Sequence, residues 1–254
     1  MNHILEIEKL EKHFGGLHAV QNCSFQVKKN SITGLIGPNG AGKTTTFDLI
    51  SGFMTATSGK IFFKNEEITE KPAYKRARIG IGRTFQSVRL FPELTVIDNL
   101  LIVLEKNEQG LKNIFSKKSA LKKNREQAME YLKEINLHEH AHMYAGNLSY
   151  GQQKLLEIIR TIATESDIIL LDEPAAGVNP TMLRNIENII KKLHSEGRTI
   201  LIVEHNMPFV MGMCEEIIVM DQGTVLFTGS PEEVQRNPKV LEAYLGKKHV
   251  TFDV

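Results

Sequence analysis

The chain has 254 residues, of which 31 are Lys or Arg and 30 are Asp or Glu, giving a formal net charge of +1. That length buries one large core or a core with an attached lobe, and the even charge, with no basic block interleaved with aromatics, argues against a nucleic-acid partner. No apolar run approaches the ~18 residues that span a bilayer, and the start Met1-Asn2-His3-Ile4 lacks a basic-then-apolar leader, so the chain is expected in the cytoplasm, reaching a membrane only through a partner.

In chain order, residues 4–10, 24–27 and 60–63 are short alternating or apolar stretches bounded by turn residues, and they read as antiparallel strands. Residues 32–36 read as an apolar strand and 45–50 as a helix, and between them lies Gly37-Pro38-Asn39-Gly40-Ala41-Gly42-Lys43-Thr44. This is the pattern G-x-x-x-x-G-K-[ST] in its strand-loop-helix setting. The glycines let backbone N–H groups turn towards nucleotide phosphates, Lys43 supplies positive charge at the β/γ oxygens, and the Thr44 hydroxyl is placed to ligate Mg²⁺. The helix N-terminus adds its own partial positive charge.

From about 88 to 163 the pattern is helical: 96–105, then 124–135 with Met129, Leu132 and Ile135 on one face, then a helix bearing Leu155, Leu156, Ile158, Ile159 and Ile162. The Lys-rich stretch 117–123 reads as a solvated helix or loop. Leu148-Ser149-Tyr150-Gly151-Gln152-Gln153 precedes the last of these helices, so Ser149 and Gly151 stand at its N-terminus with a hydroxyl and free N–H groups facing outward. Taken alone, Ser149 is an ordinary N-cap.

Strand and helix then alternate through 168–171, 182–193 and 199–203, the pattern of a parallel sheet. The first of these strands ends in Asp172-Glu173-Pro174. It delivers two carboxylates to the strand's C-terminal end, where open α/β sheets bind ligands. Asp172 is suited to hold Mg²⁺ through its water shell, and Glu173 to orient or deprotonate an attacking water. His205 follows the apolar strand 200–203 at the same edge. A hairpin is expected from 216–220 and 224–227 around Asp221-Gln222-Gly223, and Ser230-Pro231-Glu232-Glu233 opens a closing helix. The two cysteines, Cys23 and Cys214, have no metal-type spacing and are expected as core thiols of a reducing compartment.

The phosphate loop, the stretch 148–153 and the strand ending at Asp172-Glu173 together resemble the ATP-binding cassette ATPases, whose signature is Leu-Ser-Gly-Gly-Gln. The resemblance implies an α/β fold: a P-loop NTPase cassette with a mainly parallel core sheet, an N-terminal antiparallel β subdomain and an inserted α-helical lobe. Residues 1–86 and 164–254 would form the core and 87–163 the lobe of a single domain. It implies ATP and Mg²⁺ as cofactors, held by residues 37–44 together with Thr45 and Asp172. Phe14 lies where the family sets an aromatic ring against adenine. Gln86 takes the place of the Gln loop that reaches the Mg²⁺ site, and His205 matches the switch His at the γ-phosphate. Ser149, Gly151 and Gln153 belong to the signature that closes on ATP held by another subunit, which implies a head-to-tail pair. This sequence departs from the family at Tyr150, which replaces a Gly, and at Asn179, where the interface loop usually has Asp.

Longer stretches, 14–20, 89–96, 175–180, 203–207 and 241–246, are similar to the ATPase subunits of branched-chain amino-acid importers, and Tyr150 and the segment near 111–123 look like the longer of the two ATPases those importers carry. The resemblance implies integral-membrane permease subunits, a second cassette ATPase, indirectly a substrate-binding protein, and a peripheral seat on the inner face of the membrane. A groove of Gln86, Val88, Leu90, Phe91 and Leu100 is expected to receive a short permease helix. ATPases of urea importers and lipopolysaccharide exporters share many of these features. A soluble cassette ATPase usually carries a long coiled coil or two cassettes, and a small-molecule phosphotransferase would not need residues 148–153.

Overall fold

The computed structural model describes residues 3–106 and 114–245. The expectations on 111–113, on the side chains of 117–119 and on Gly246 fall outside the described residues. The chain opens with two long strands, β1 (His3–Phe14) and β2 (Leu17–Lys28), followed by β3 (Ile32–Ile36) and α1 (Lys43–Ser51). β4 (Ser58–Phe63), the short β5 (Glu66–Glu67), α2 (Ala73–Arg78) and β6 (Ile81–Arg83) come next. Three longer helices follow, α3 (Val96–Lys106), α4 (Ile114–Glu134) and α5 (Tyr150–Ile162). The chain then alternates through β7 (Ile168–Asp172), α6 (Pro180–Ser195), β8 (Thr199–Val203), α7 (Met207–Met213), β9 (Glu216–Asp221) and β10 (Thr224–Gly229), and ends in α8 (Pro231–Arg236) and α9 (Pro238–Leu245).

One sheet is antiparallel, in the order β2-β1-β4-β5; the other runs β10-β9-β3-β8-β7-β6 and is parallel except for the β9–β10 hairpin. Every residue of β3, β7 and β8 is buried, because both faces of this second sheet are covered. Ile36, Ile169, Leu171, Ile200, Ile202, Ile217 and Val219 join the apolar cluster that contains the helices of the lobe, α6 and α7. Leu35, Ile168, Leu170, Leu201, Val203, Ile218 and Met220 face the other way, onto α1 and the antiparallel sheet. The period of two along each strand thus sorts one apolar run into two cores.

The chain departs from the sequence expectations where local pattern and pairing compete. β1 continues past Leu10 because register shifts after Ile7 and Leu10, with Lys9 at φ 45°, break the alternation without ending the ladder to β2. The helix expected over 96–105 is α3, while the stretch 88–95 at the start of the expected helical region carries no helix. Residues 84–95 are held as irregular chain by Asn99, whose side chain accepts from the Phe91 N–H and donates to the carbonyls of Phe91 and Thr95. α4 starts at Ile114 rather than 124, its first turns passing through the Lys-rich stretch, where Lys122 and Lys123 are exposed. β6 is three residues long, too short to show a period, and exists as an edge strand through its pairing with β7.

Candidate active site

β3, β6, β7 and β8 run parallel, so the segments leaving their C-terminal ends gather at one edge of the sheet. Register sets Asp172 level with Val203 and Val203 level with Leu35. The loop 37–42, the segment 84–89, the turn after Asp172 and the residues after Val203 therefore meet there. Thr44, Asp48, Arg83, Gln86, Tyr150, Gln153 and Asp172 line one open cleft of about 790 Å³ at this edge.

The loop from β3 to α1 requires glycine at two places. A Cβ on Gly37 would lie 2.1 Å from the Met220 carbonyl oxygen, and one on Gly42, at φ 94°, would lie 2.5 Å from that of Ala19. Lys43 Nζ donates to the carbonyls of Gly37 and Pro38, at 2.6 and 3.0 Å. Burial lowers its pKa, opposed by the charges of Glu173 and Asp172. Asn39, Gly40 and Thr44 are exposed, Thr45 is half-buried and Ala41 is buried, so the loop presents backbone and hydroxyl groups outward on a packed base. Phe14 ends β1 with its ring 47% exposed, and the Lys12 ammonium sits 5.3 Å from the ring centroid.

Asp172 is buried at the end of β7, and its carboxylate meets Arg83 at 3.0 Å. Arg83 also donates to Asp48 at 2.6 Å and to Ser51 Oγ at 2.7 Å. Burial pushes the Asp172 pKa up; the Arg83 charge and hydrogen bond work against that shift, while Glu173 and Asp48 add to it. Glu173 follows in the left-handed region at φ 48°, which turns its side chain off the sheet edge. Its carboxylate accepts from Gln86 Nε2 at 3.3 Å and lies 3.7 Å from His205 Nδ1. Gln86, Glu173 and His205, expected from sequence, are thus in mutual reach of one carboxylate.

Oxygen donors of Thr44, Gln86 and Asp172 border the same cleft, a hard donor set that fits Mg²⁺. Among the described residues no group of three or more His, Cys, Asp or Glu stands together as a metal site, so a cation here would draw its remaining ligands from phosphate and water.

Ser149 caps α5: its hydroxyl accepts from the Gln152 N–H while the Gln152 side chain accepts from the Ser149 N–H. Gln153 Nε2 donates to the Ala145 carbonyl at 3.2 Å. Gly151 is packed on Met182, where a Cβ would come within 2.2 Å of the sulfur. Among the described residues no hydrogen bond or ion pair joins 148–153 to 37–45. Tyr150 is 48% exposed with its ring edge on Gly177, and Asn179 caps α6 by accepting from the Met182 N–H at 2.9 Å.

The expected groove needs one correction. Leu100 is fully buried in the lobe's core, because α3 turns that face inward beside Val96, Ile97 and Leu104; Val88 and Leu90 are half-buried and Phe91 is 50% exposed.

Three side chains at this edge escaped the sequence reading: Arg83, Lys154 and Glu204. Glu204 is buried with its carboxylate accepting from the N–H groups of Ala175, His205 and Asn206. It carried the same signal as Asp172, an acid directly after an apolar strand. Lys154, buried in α5, donates to the carbonyls of Glu173 and Ala176.

A family model described as ABC transporter matches residues 20–176, and one described as branched-chain amino acid ATP-binding cassette transporter matches 224–250. The high-affinity branched-chain amino acid transport ATP-binding protein BraF of Pseudomonas aeruginosa is 45% identical over 251 residues, covering 96% of this chain and 98% of its own. LivG of Escherichia coli K12, of the same description, is 42% identical over 250 residues, with 96% and 98% covered. The crystal structure of a nucleotide-free ATP-binding cassette from an ABC transporter superposes with a TM-score of 0.83 at 36% identity, over 96% of this chain and 100% of that one. With a family match across more than half its length and relatives this similar from end to end, the chain belongs to the ABC transporter family, as one of its ATP-binding cassettes.

Proposed function

We propose that this cassette hydrolyses ATP to drive the import of branched-chain amino acids, seated as a peripheral subunit on the inner face of the membrane beneath permease subunits. The observation that carries the chemistry is the setting of Glu173, a carboxylate beside the phosphate loop that is touched by both Gln86 and His205. Cargo is supported by BraF and LivG, branched-chain amino acid transport ATP-binding proteins that match nearly the whole chain, and by the family match at 224–250. A membrane seat through partners accords with the described helices, none of which is long and apolar enough to cross a membrane.

In this reading the core, 1–86 and 164–254, binds the nucleotide, and the lobe, 87–163, carries the signature. Phe14 offers a π face to adenine. The N–H groups of Gly37 to Thr45 cradle the phosphates, and Lys43 exchanges its two carbonyl partners for phosphate oxygens. Thr44, Gln86 and Asp172 would hold Mg²⁺, which when bound neutralises phosphate charge. Glu173 accepts the proton of the attacking water while Gln86 and His205 orient its carboxylate, and His205 faces the γ-phosphate. Ser149, Gly151 and Gln153 act on ATP held by a second cassette, identical or related, a reading supported by the lack, among the described residues, of any hydrogen bond or ion pair from 148–153 to the phosphate loop. A substrate-binding protein would deliver cargo to the permeases.

The test is Glu173→Gln in the complex assembled with its permeases. Hydrolysis and leucine uptake should fall together by about 10²–10⁴, with ATP affinity retained. Near-normal turnover would remove Glu173 from the mechanism, and uptake of some other solute alone would overturn the cargo.

A further inference from the structure

The turn that carries Glu173 is held from two sides by buried charges of opposite sign. Its own closure is one hydrogen bond, from the Ala176 N–H to the Glu173 carbonyl at 3.1 Å, with Glu173 in the left-handed region. Lys154 reaches it from α5, donating to the carbonyls of both Glu173 and Ala176. Glu204 reaches it from the end of β8, accepting from the Ala175 N–H at 2.6 Å. The other oxygen of Glu204 accepts from the N–H groups of His205 and Asn206, at 2.9 and 3.1 Å. Both side chains are nearly inaccessible, at 3% and 1% exposure.

Their hydrogen bonds among the described residues go to the main chain of the two segments bearing Glu173 and His205, while the Lys154 ammonium also lies 6.0 Å from the Tyr150 ring centroid and the Glu204 carboxylate 3.9 Å from His205 Nδ1. A buried ion pair kept for stability alone is commonly matched by apolar residues of similar volume. Here each charge instead satisfies polar groups that an apolar residue would strand. Burial lowers the Lys154 pKa, and Glu204, Glu173, Glu157 and Asp172 hold it up, so the ammonium depends on the acids around this turn. Lys154 also lies in the opening turns of α5, whose Tyr150 packs on Gly177 and whose Gly151 packs on Met182. The signature end of that helix therefore touches the loop after Glu173 through Tyr150 and Lys154, and the first turn of α6 through Gly151.

We propose that Lys154 and Glu204 are positioning residues for hydrolysis. Together they fix the main chain of 173–176 so that the Glu173 carboxylate and the His205 segment keep one relative placement, and Lys154 ties that placement to the signature helix. A shift of α5, when a second subunit's ATP engages Ser149 and Gly151, then moves the carbonyl of Glu173 directly. This rests on the role proposed above for Glu173, and it adds two residues that act through it.

The experiment is steady-state ATP hydrolysis by the purified full-length chain carrying Lys154→Met or Glu204→Gln, alongside nucleotide titration and melting. Either variant should lower kcat by about 10- to 100-fold with KM for ATP within about twofold, because nucleotide binding is left alone. Lys154→Arg, which keeps the charge and donors, should recover most of the loss. The double variant should lose less than the product of the single losses, as expected for groups holding one turn. A folded variant of either kind with kcat within about threefold of wild type, or a loss that appears in KM instead, overturns the proposal. If one variant fails to fold, the other decides, since both hold the same turn. A wild-type chain without hydrolysis would defeat the functional reading and this proposal with it; an active wild type with indifferent variants defeats this proposal alone.

Discussion

Arg83 and Asp172 form an ion pair with almost no access to water: Nη2 of the arginine lies 3.0 Å from Oδ2 of the aspartate, and the side chains are 5% and 3% exposed. The guanidinium is further enclosed by the rings of Phe47, Phe53 and Phe85, at 5.7, 5.8 and 5.1 Å. Arg83→Leu keeps apolar bulk against those rings and leaves the Asp172 carboxylate buried without its counter-ion. Removing one partner of a buried pair costs about 3–5 kcal/mol. The loss carries a pH signature. Burial already raises the Asp172 pKa and Arg83 opposes it, so in the variant the pKa stands higher still. A raised folded pKa means that the folded state holds the proton more tightly than the unfolded one. The penalty is then full above the folded pKa and vanishes as the pH falls below the unfolded value of ~3.9. Melting curves should show the gap between wild type and Arg83→Leu narrowing on acidification. A gap that stays constant would assign the loss to packing.

Arg83 also marks the boundary of what the sequence disclosed. The phosphate loop, Asp172-Glu173 and His205 were legible because each is a short contiguous stretch bordered by an apolar strand, and parallel strands deliver such stretches to one edge. Arg83 lies 89 residues from Asp172, and Lys154 19 residues from Glu173, so their importance arises from strand order and helix docking. No local pattern encodes that. The same limit displaced Leu100: a helical period locates an apolar face, and only tertiary packing decides whether that face meets a core or a partner. The irregular chain before α3 was hidden for a different reason, since it is held by the side chain of Asn99 rather than by any period.

Nucleotide affinity should separate Lys43 from Phe14. Lys43→Ala removes charge-assisted contacts worth about 1.5–3 kcal/mol, ~10- to 150-fold in Kd. Phe14→Ala removes a stacking face worth about 0.5–1.5 kcal/mol, ~2- to 12-fold, and Phe14→Tyr should be silent. Calorimetric titration with ATP measures all three. An unchanged Kd for Phe14→Ala would leave that ring with no role beyond covering Lys12.

Both cysteines should be inert in the native protein. Burial pushes the thiols of Cys23 and Cys214 up to about 12. At pH 8 the thiolate fraction is then ~10⁻⁴, and the thiolate is the reactive form. The raised pKa means that the folded state retains these protons. The stability this confers is complete below the unfolded value of ~8.5 and is lost as the pH climbs towards 12. Alkylation at pH 8 should be slow when native and should label both residues on unfolding. Rapid native labelling of either would show that its surroundings open locally.

The surface near Gln86 is best probed at Phe91, because Leu100 belongs to the interior. Leu100 has no exposed surface, and Leu100→Ala should cost about 2–5 kcal/mol by opening a cavity among Val96, Leu104 and their neighbours. Leu100→Glu would bury a lone carboxylate and is expected to unfold the lobe, so any transport defect it caused would say nothing about a partner. Phe91 is half exposed, its backbone is fixed by Asn99, and its ring lies 5.6 Å from the Arg160 guanidinium. Phe91→Glu should therefore shift the melting temperature little. If a permease helix docks here, the charge should lower leucine uptake in the assembled complex while ATP binding by the isolated chain is unaltered. Uptake at the wild-type level from a folded Phe91→Glu complex would place the coupling surface elsewhere on the lobe.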